Sequence, residues 1–180
     1  MVVFTGCGMR AAWAVAVCLM LSGPGAAAAP GCPLAATQVV DHLYRWYLKV
    51  GDRYREQLPD QQRLFEPGLY ADLQAAFALE PSPAGFLDFD PFNGAQVDSY
   101  GFRLLRCRAV TADRLEARVL VKAGLRPSGA TEQPIQLWLQ RAGTGWQISD
   151  LAYAPDSPNA FRLQPLLNTL LRDVLNLQGQ

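Results

Sequence analysis

The chain has 180 residues, half of them apolar, and its 16 basic residues balance its 16 acidic ones. A chain of this length fits one domain, and its apolar content is far above that of intrinsically disordered proteins. The balanced charge excludes the strongly basic surface that nucleic-acid-binding proteins use. We therefore expect a single folded domain that does not bind nucleic acid.

The N-terminal segment has the three parts of a cleavable signal peptide. Arg10 precedes an apolar run at 11–21, and a Ser-Gly-Pro-Gly break leads into the small residues at 26–29. The run is about half as long as the ~20 residues that a membrane-spanning helix needs, so a signal peptide is favoured over an uncleaved anchor. The sequence predicts a signal peptide at 1–29 and a domain at 30–180, exported to the periplasm or the exterior with no stable membrane span.

Two of the four cysteines, Cys32 and Cys107, lie beyond the predicted signal peptide. In an oxidising compartment they allow one intramolecular disulfide, which would join the N-terminus of the mature chain to a central strand. A lipid on Cys32 and two free buried thiols are the alternatives. Because the Ala-Pro-Gly before Cys32 matches a lipobox poorly, we favour the disulfide over a lipid anchor.

Helical periodicity dominates the first half of the domain. Apolar residues recur at three- and four-residue spacing from Leu34 to about Gln57 and again from about Leu69 to Leu79. Prolines follow both segments and end them. The next segment, GFLDFDPFNG at 85–94, is rich in turn-forming residues, and its three phenylalanines need burial. We expect an ordered loop there.

Four strands are predicted in the second half, at 99–110, 114–123, about 135–139 and 146–153. The second and third alternate strictly, whereas the first changes parity near Leu104 and the fourth between Ile148 and Leu151. A parity change indicates a bulge or a bend, so we expect a strongly curved sheet. The Ala-Gly-Thr-Gly turn before the fourth strand predicts a tight hairpin and antiparallel pairing.

A final helix is predicted from about Phe161 to Leu177, with a leucine-rich stripe that we expect to be largely buried. The predicted fold class is therefore α+β. N-terminal helices pack on a curved four-stranded antiparallel sheet, the sheet wraps around the helix that contains Trp46, and a C-terminal helix follows.

Four segments carry a family resemblance: VVDHLYRWY at 39–47, LYADL at 69–73, DFDPFNGAQ at 88–96 and WQISDLAY at 146–153. They resemble a bacterial family of secreted proteins and lipoproteins, a domain of unknown function within the nuclear transport factor 2-like (cystatin-like cone) superfamily. The resemblance implies a cone with a pocket between the concave sheet face and the long helix, and a binding role in place of catalysis in many members. The family often has an aspartate directly after the glutamine, whereas here Val97 separates Gln96 from Asp98.

Catalytic residue types are sparse. The single histidine, His42, excludes mechanisms that need two, including most zinc sites, and no G-x-S-x-G elbow supports a hydrolase triad. An isomerase-like site in this fold class would use an aspartate base and a tyrosine donor in an apolar pocket. The best candidates are Asp150, Tyr153, His42 and Tyr47. The simpler interpretation makes His42 a helix-surface residue and Asp150 a hydrogen-bonding residue at the strand bulge.

The candidate binding residues are Asp90, Gln96, Trp46 and Trp138. Paired carboxylates at Asp88 and Asp90 could bind calcium or share a proton, but the spacing fails the EF-hand pattern. We expect Asp90 to accept backbone N–H groups in a turn and Gln96 to bind backbone at the rim of the cone. Trp138 is either covered by the last helix or exposed on the outer sheet face, where it would anchor a homodimer or another partner.

The leading hypothesis is an exported, non-catalytic binding module, without metal or cofactor, for a protein or a small apolar ligand. It would use the cone pocket or the outer sheet face. Two alternatives remain open: a small-molecule isomerase or hydratase that uses the pocket, and an immunity-type protein that neutralises a periplasmic toxin.

Overall fold

The computed structural model describes residues 29–79 and 86–178, with side chains to 176. Residues 1–28 of the predicted signal peptide lie outside this part of the chain. The helices are α1 (Leu34–Val50), α2 (Tyr54–Gln57), α3 (Pro67–Phe77) and α4 (Leu163–Gln178), and the strands are β1 (Asp98–Thr111), β2 (Arg114–Gly124), β3 (Thr131–Ala142), β4 (Gly145–Tyr153) and β5 (Phe161–Arg162). Short 3-10 turns occupy Gly51–Arg53, Leu58–Leu64 and Pro127–Gly129. The predicted α+β class is confirmed.

The first predicted helix ends earlier than its apolar pattern indicated. α1 stops at Val50, because Gly51 takes a positive φ of 59° and donates its N–H to the Tyr47 carbonyl. The remaining apolar positions, up to Leu58, belong to a 3-10 turn and the one-turn helix α2. This break places the start of α2 beside the end of α1, where a cleft opens.

The sheet has five antiparallel strands in the order β1-β2-β3-β4-β5, one more than predicted. The extra strand, β5, has two residues and pairs only with Ala152 and Tyr153, so the predicted last helix begins at Leu163 instead of Phe161. Both predicted bulges are present. One register shift falls between Leu104 and Arg106 in β1. The other falls at Ser149 in β4, which is the extra residue opposite the step from Trp138 to Leu139 in β3.

The core lies between α1 and one face of the sheet. Helix α1 contacts both β1 and β4. The strands bury alternate residues against it, as the strict parity of β2 and β3 predicts, including Val119, Val121, Ile135 and Leu137. The opposite, outer face carries the charged residues of β2.

Helix α4 is less buried than predicted. Leu163 and Leu167 are fully buried against the rest of the core, but Leu166 is 36% exposed and Leu175 is 68% exposed. The helix packs mainly on α3 at the β4 side of the sheet. Its contacts with α3 and β4 cover only part of a wide leucine stripe.

A disulfide joins Cys32 to Cys107, with the two Cα atoms 4.7 Å apart, as the sequence predicted. The Cys107 backbone N–H also donates to the Pro30 carbonyl at 3.0 Å. Together these contacts fix the start of the described chain on β1. Among the described helices, none is both long and apolar enough to cross a bilayer.

Candidate functional site: a cleft beside Tyr47 and Asp90

A cleft of about 420 Å³ opens where the end of α1, the start of α2 and the chain entering β1 meet. Its lining includes aromatic, acidic and polar side chains, among them Tyr47, Tyr54, Arg55, Asp90, Ser99 and Tyr100. Two of the segments that carry the family resemblance, 39–47 and 88–96, therefore meet at this cleft.

The loop at 88–97 forms one wall of the cleft. The Asp90 N–H donates to the Ala95 carbonyl at 2.9 Å, and the Gly94 N–H donates to the Asp90 carbonyl at 2.8 Å. Gly94 has a positive φ of 71°, and a Cβ there would lie 2.8 Å from the Tyr153 ring. The predicted ordered loop is confirmed, and its conformation requires glycine at this turn.

Phe92 inserts this loop into the core. Its side chain is fully buried, and its ring contacts those of Trp46, Tyr47 and Tyr54 at centroid distances of 5.5–5.9 Å. Phe89 is half-buried, whereas Phe86 stays 39% exposed, so not all three phenylalanines are buried as expected. An aromatic cluster therefore backs the wall of the cleft.

A polar network lies at the floor of the cleft: Tyr47, Asp90 and Ser99 line it, and the buried Asn93 lies behind them. The Tyr47 hydroxyl donates to Asp90 Oδ2 at 2.5 Å and lies 3.0 Å from the Ser99 hydroxyl. Asn93 Nδ2 lies 3.1 Å from the Tyr47 hydroxyl, 3.0 Å from the Ser99 hydroxyl and 2.7 Å from the Val97 carbonyl. Asn93 Oδ1 accepts from the Ala95 N–H at 2.7 Å. The network joins α1, the loop and β1.

Burial changes the acidity of this network. Desolvation raises the pKa of Asp90 to about 6, although hydrogen bonds from Tyr47 and the Phe92 N–H and the charge of Arg55 oppose the shift. Burial, and then the charge of Asp90, raise the pKa of Tyr47 above its ordinary range. Near neutral pH the floor therefore combines a carboxyl group close to its titration point with a neutral phenol.

The structure places Asp90 in the turn role that the sequence indicated, since its Oδ1 accepts from the Phe92 N–H at 2.8 Å. Gln96 is exposed at the rim of the cleft. Tyr47, proposed from the sequence as part of a catalytic set, lies on the floor with Asp90 as its partner. The expected partner, Asp150, lies elsewhere.

The predicted catalytic set is divided by the sheet. Asp150 pairs with Trp138 on the outer face, whereas Tyr153 pairs with Ile135 on the core face, and the Tyr153 hydroxyl donates to the Pro91 carbonyl at 2.9 Å. His42 is exposed on α1, outside the cleft, as the simpler interpretation expected. No common pocket brings these side chains together among the described residues.

Asp150 has a local hydrogen-bonding role. Its Oδ1 accepts from the backbone N–H groups of Leu151 and Gln164 at 2.8 and 2.9 Å, and its Oδ2 accepts from Arg162 Nε at 2.6 Å. Asp150 is only 1% exposed. Its carboxylate therefore satisfies one buried N–H group at the bulge in β4 and one in the first turn of α4.

The two candidate tryptophans lie outside the cleft lining. Trp46 is 9% exposed and contacts Phe92 in the core. Trp138 is partly buried on the outer face, where the guanidinium of Arg162, just before α4, lies 4.6 Å from its ring centroid. The partial burial of Trp138 thus lies between the two predicted alternatives, coverage by the last helix and exposure on the outer sheet face.

The sequence did not identify two lining residues of the cleft, Ser99 and Arg55, or the buried Asn93 behind its floor. Asn93 precedes Gly94, a pattern that predicts only a turn, whereas an asparagine that is fully buried must satisfy its amide. Arg55 donates to the Leu87 carbonyl at 3.1 Å and to the Tyr54 hydroxyl at 3.2 Å. No short-range pattern connects these residues, because the contacts depend on the tertiary fold.

Comparison of the chain with protein-family models, with curated proteins and with solved structures finds no match. The chemistry of the cleft is therefore interpreted from its own geometry.

Proposed function

We propose that this protein is an exported binding module of the nuclear transport factor 2-like superfamily that holds a small molecule in the cleft beside Tyr47. The superfamily assignment rests on the four sequence segments and on the order of the helices and strands. Export rests on the signal-peptide pattern. The binding role rests on the polar network of the floor.

The observation that carries the proposal is the hydrogen bonding of Tyr47, Asp90, Asn93 and Ser99 at the base of an open cleft. Their side chains bond mainly to each other and to the loop backbone, so their positions are set before any ligand arrives. Such fixed polar groups, surrounded by aromatic walls, are typical of small-molecule sites. Preorganisation lowers the entropy that binding costs.

The outer sheet face is a weaker candidate because four of its arginines are already paired within the chain. Four of its arginines pair with carboxylates: Arg103 with Glu132, Arg108 with Glu116, Arg118 with Asp156, and Arg162 with Asp150. An anionic partner there would have to compete with these carboxylates for the four arginines.

A small-molecule library containing cations, neutral compounds and anions, screened by thermal shift and then by calorimetry, tests the proposal. We expect ligands that bind one to one. The variant Gln96→Trp, which puts an indole at the rim, should lose them, whereas Gln62→Trp, at an exposed position outside the cleft, should keep them. The absence of any ligand, or full binding to Gln96→Trp, would contradict the proposal.

The contact between Tyr47 and Asp90 favours one second function, a proton-transfer enzyme of isomerase or hydratase type. A carboxyl group with a pKa of about 6 is suited to act as a general base near neutral pH, and the adjacent phenol donates to this carboxylate and holds it in position. Deuterium exchange into a bound ligand, followed by NMR, distinguishes the two functions. Exchange that is lost in Asp90→Asn supports the enzyme, and binding without exchange supports the module.

A further inference from the structure

We propose that the molecule held in the cleft is a small organic cation: an amine, a guanidinium or a quaternary ammonium compound. This inference rests on the proposed function, because it names the chemical class of ligand for the same cleft. It combines the cavity with three properties of its lining: the charge balance, the engagement of the one base, and the aromatic surfaces.

The charge balance of the lining is negative. Asp52, Asp88, Asp90 and Asp98 line the cleft, and Arg55 is the one base among the lining residues. Asp52, Asp88 and Asp98 are exposed, and Asp90 lies deeper on the floor. They come from three separate segments: the turn after α1, the loop, and the first residue of β1. A cleft lined by one sign of charge attracts ligands of the opposite sign and speeds their association.

Arg55 is already engaged by the protein. It donates to the Leu87 carbonyl and to the Tyr54 hydroxyl, and its guanidinium carbon lies 5.3 Å from the Phe77 ring centroid. These contacts hold the guanidinium against α2 and α3. The carboxylates of the cleft therefore exceed the positive charge available to balance them.

The aromatic lining favours an organic cation over a metal ion. Tyr47, Tyr54, Phe89 and Tyr100 line the cleft, and the last two are partly exposed. Aromatic faces attract amines and guanidinium groups, whereas calcium needs six or more oxygen ligands around one point. Within the described residues, no three His, Cys, Asp or Glu side chains are close enough together to hold a metal.

The position of Asp90 makes cation binding dependent on pH. The charged and titratable groups around it come from every element packed against it: Tyr44 and Tyr47 from α1, Tyr54 and Arg55 from α2, Tyr153 from β4, and Asp88 and Asp98 on either side of it in the chain. A cation favours the ionised carboxylate, so affinity should rise as the pH increases through about 6. Asp90→Asn should flatten this part of the profile.

Calorimetry with size-matched compounds tests the charge preference. One trio is choline, its neutral carbon isostere dimethylbutanol, and dimethylbutanoate; a second is butylamine, butanol and butanoate. The ligands selected by the library screen are classed by charge in the same way. We expect the cations to bind about tenfold or more tightly than their neutral matches.

The outcomes separate this inference from the proposed function. Equal or tighter binding of neutral or anionic compounds, blocked by Gln96→Trp, would overturn the charge preference and leave the cleft as a binding site. No binding by any compound would overturn both. Binding that requires added calcium would also overturn the charge preference for organic cations.

Substitution of the rim carboxylates gives an independent readout. Asp52→Asn and Asp98→Asn should each weaken cation binding by up to about fivefold and leave the neutral match unchanged. Asp60→Asn, at an exposed position outside the cleft, is the matched control and should change neither. Unchanged cation affinity in the Asp52→Asn, Asp98→Asn double variant would overturn the inference.

Discussion

The Tyr47 hydroxyl and the Asp90 carboxylate lie 2.5 Å apart, although they are 43 positions apart in the chain. Helix α1 supplies the phenol, and the loop before β1 supplies the carboxylate. The contact therefore fastens the loop to the first helix and makes it a fixed wall of the cleft.

The two buried tyrosines of α1 should respond differently to loss of the hydroxyl. Tyr47→Phe removes a group that bonds to Asp90 and contacts Ser99 and Asn93, so we expect it to lower the free energy of unfolding by about 1–3 kcal/mol. The Tyr44 hydroxyl is buried without a hydrogen-bond partner in the described structure. Tyr44→Phe should therefore be neutral or slightly stabilising. Urea unfolding measures both, and equal losses would contradict the assigned network.

Asp150 should contribute to the stability of the fold and not to ligand binding in the cleft. Asp150→Ala leaves two N–H groups and Arg162 without their buried acceptor, so we expect a loss of about 2–4 kcal/mol in the free energy of unfolding. Asp156→Ala removes an exposed carboxylate paired with Arg118 and should cost about 1 kcal/mol or less. Ligand affinity in the cleft should be unchanged in the folded Asp150→Ala protein, and a specific loss of binding would place Asp150 in the functional site.

The disulfide should contribute substantially to stability, because it closes a loop with a sequence separation of 75. In the chain-entropy model a loop of this size is worth about 4 kcal/mol. Replacement of Cys32 and Cys107 by serine should lower the urea midpoint accordingly. Reductant should destabilise the wild type and leave the double variant unaffected. Equal stability of wild type and variant would show that the bridge contributes nothing.

Substitution of two glycines with positive φ, Gly143 and Gly94, distinguishes the cost of backbone strain alone from the cost of strain with a steric clash. An alanine at Gly143 meets nothing within 4 Å, so Gly143→Ala should cost only the conformational penalty of about 1 kcal/mol. At Gly94 the same substitution also places a Cβ 2.8 Å from the Tyr153 ring. We expect Gly94→Ala to cost clearly more. A thermal melt of both variants checks the order, and the reverse order would contradict the described loop.

Much of the sheet was predictable because its residues alternate strictly between the two faces. The two parity changes, near Leu104 and after Ile148, indicated the bulges that the structure contains. Strand β5 was missed because two residues carry no alternation. The early end of α1 was missed because the apolar pattern continues past Gly51, and only the positive φ of this glycine breaks the helix.

The candidate site was less predictable than the fold. Asp90, Gln96 and Tyr47 were selected, but Tyr47 was grouped with Asp150, which lies on the other face of the sheet. The parity change in β4 indicated the bulge, but it did not indicate on which face of the sheet Asp150 would lie. The contacts of Asn93 join segments distant in sequence, so no local spacing encodes them.

The titration of Asp90 makes the stability of the folded protein depend on pH. Because burial raises its pKa from 3.8 to about 6, the folded protein binds this proton more tightly than the unfolded chain does. The stabilising contribution is therefore present below about pH 4 and is lost as the pH rises through about 6, a change of about 2–3 kcal/mol. Asp90→Asn should remove this part of the pH dependence. Asp88→Asn, at an exposed position two residues earlier, should retain it.

A carbon-13 NMR titration of the Asp90 carboxyl group tests directly whether this side chain is desolvated on the floor and bonded to Tyr47. The predicted midpoint is about pH 6 in the wild type. It should be higher in Tyr47→Phe, because that hydroxyl stabilises the ionised carboxylate, and unchanged in Tyr44→Phe. A wild-type midpoint near 3.8, or one that does not respond to Tyr47→Phe, would contradict the polar floor on which the binding site depends.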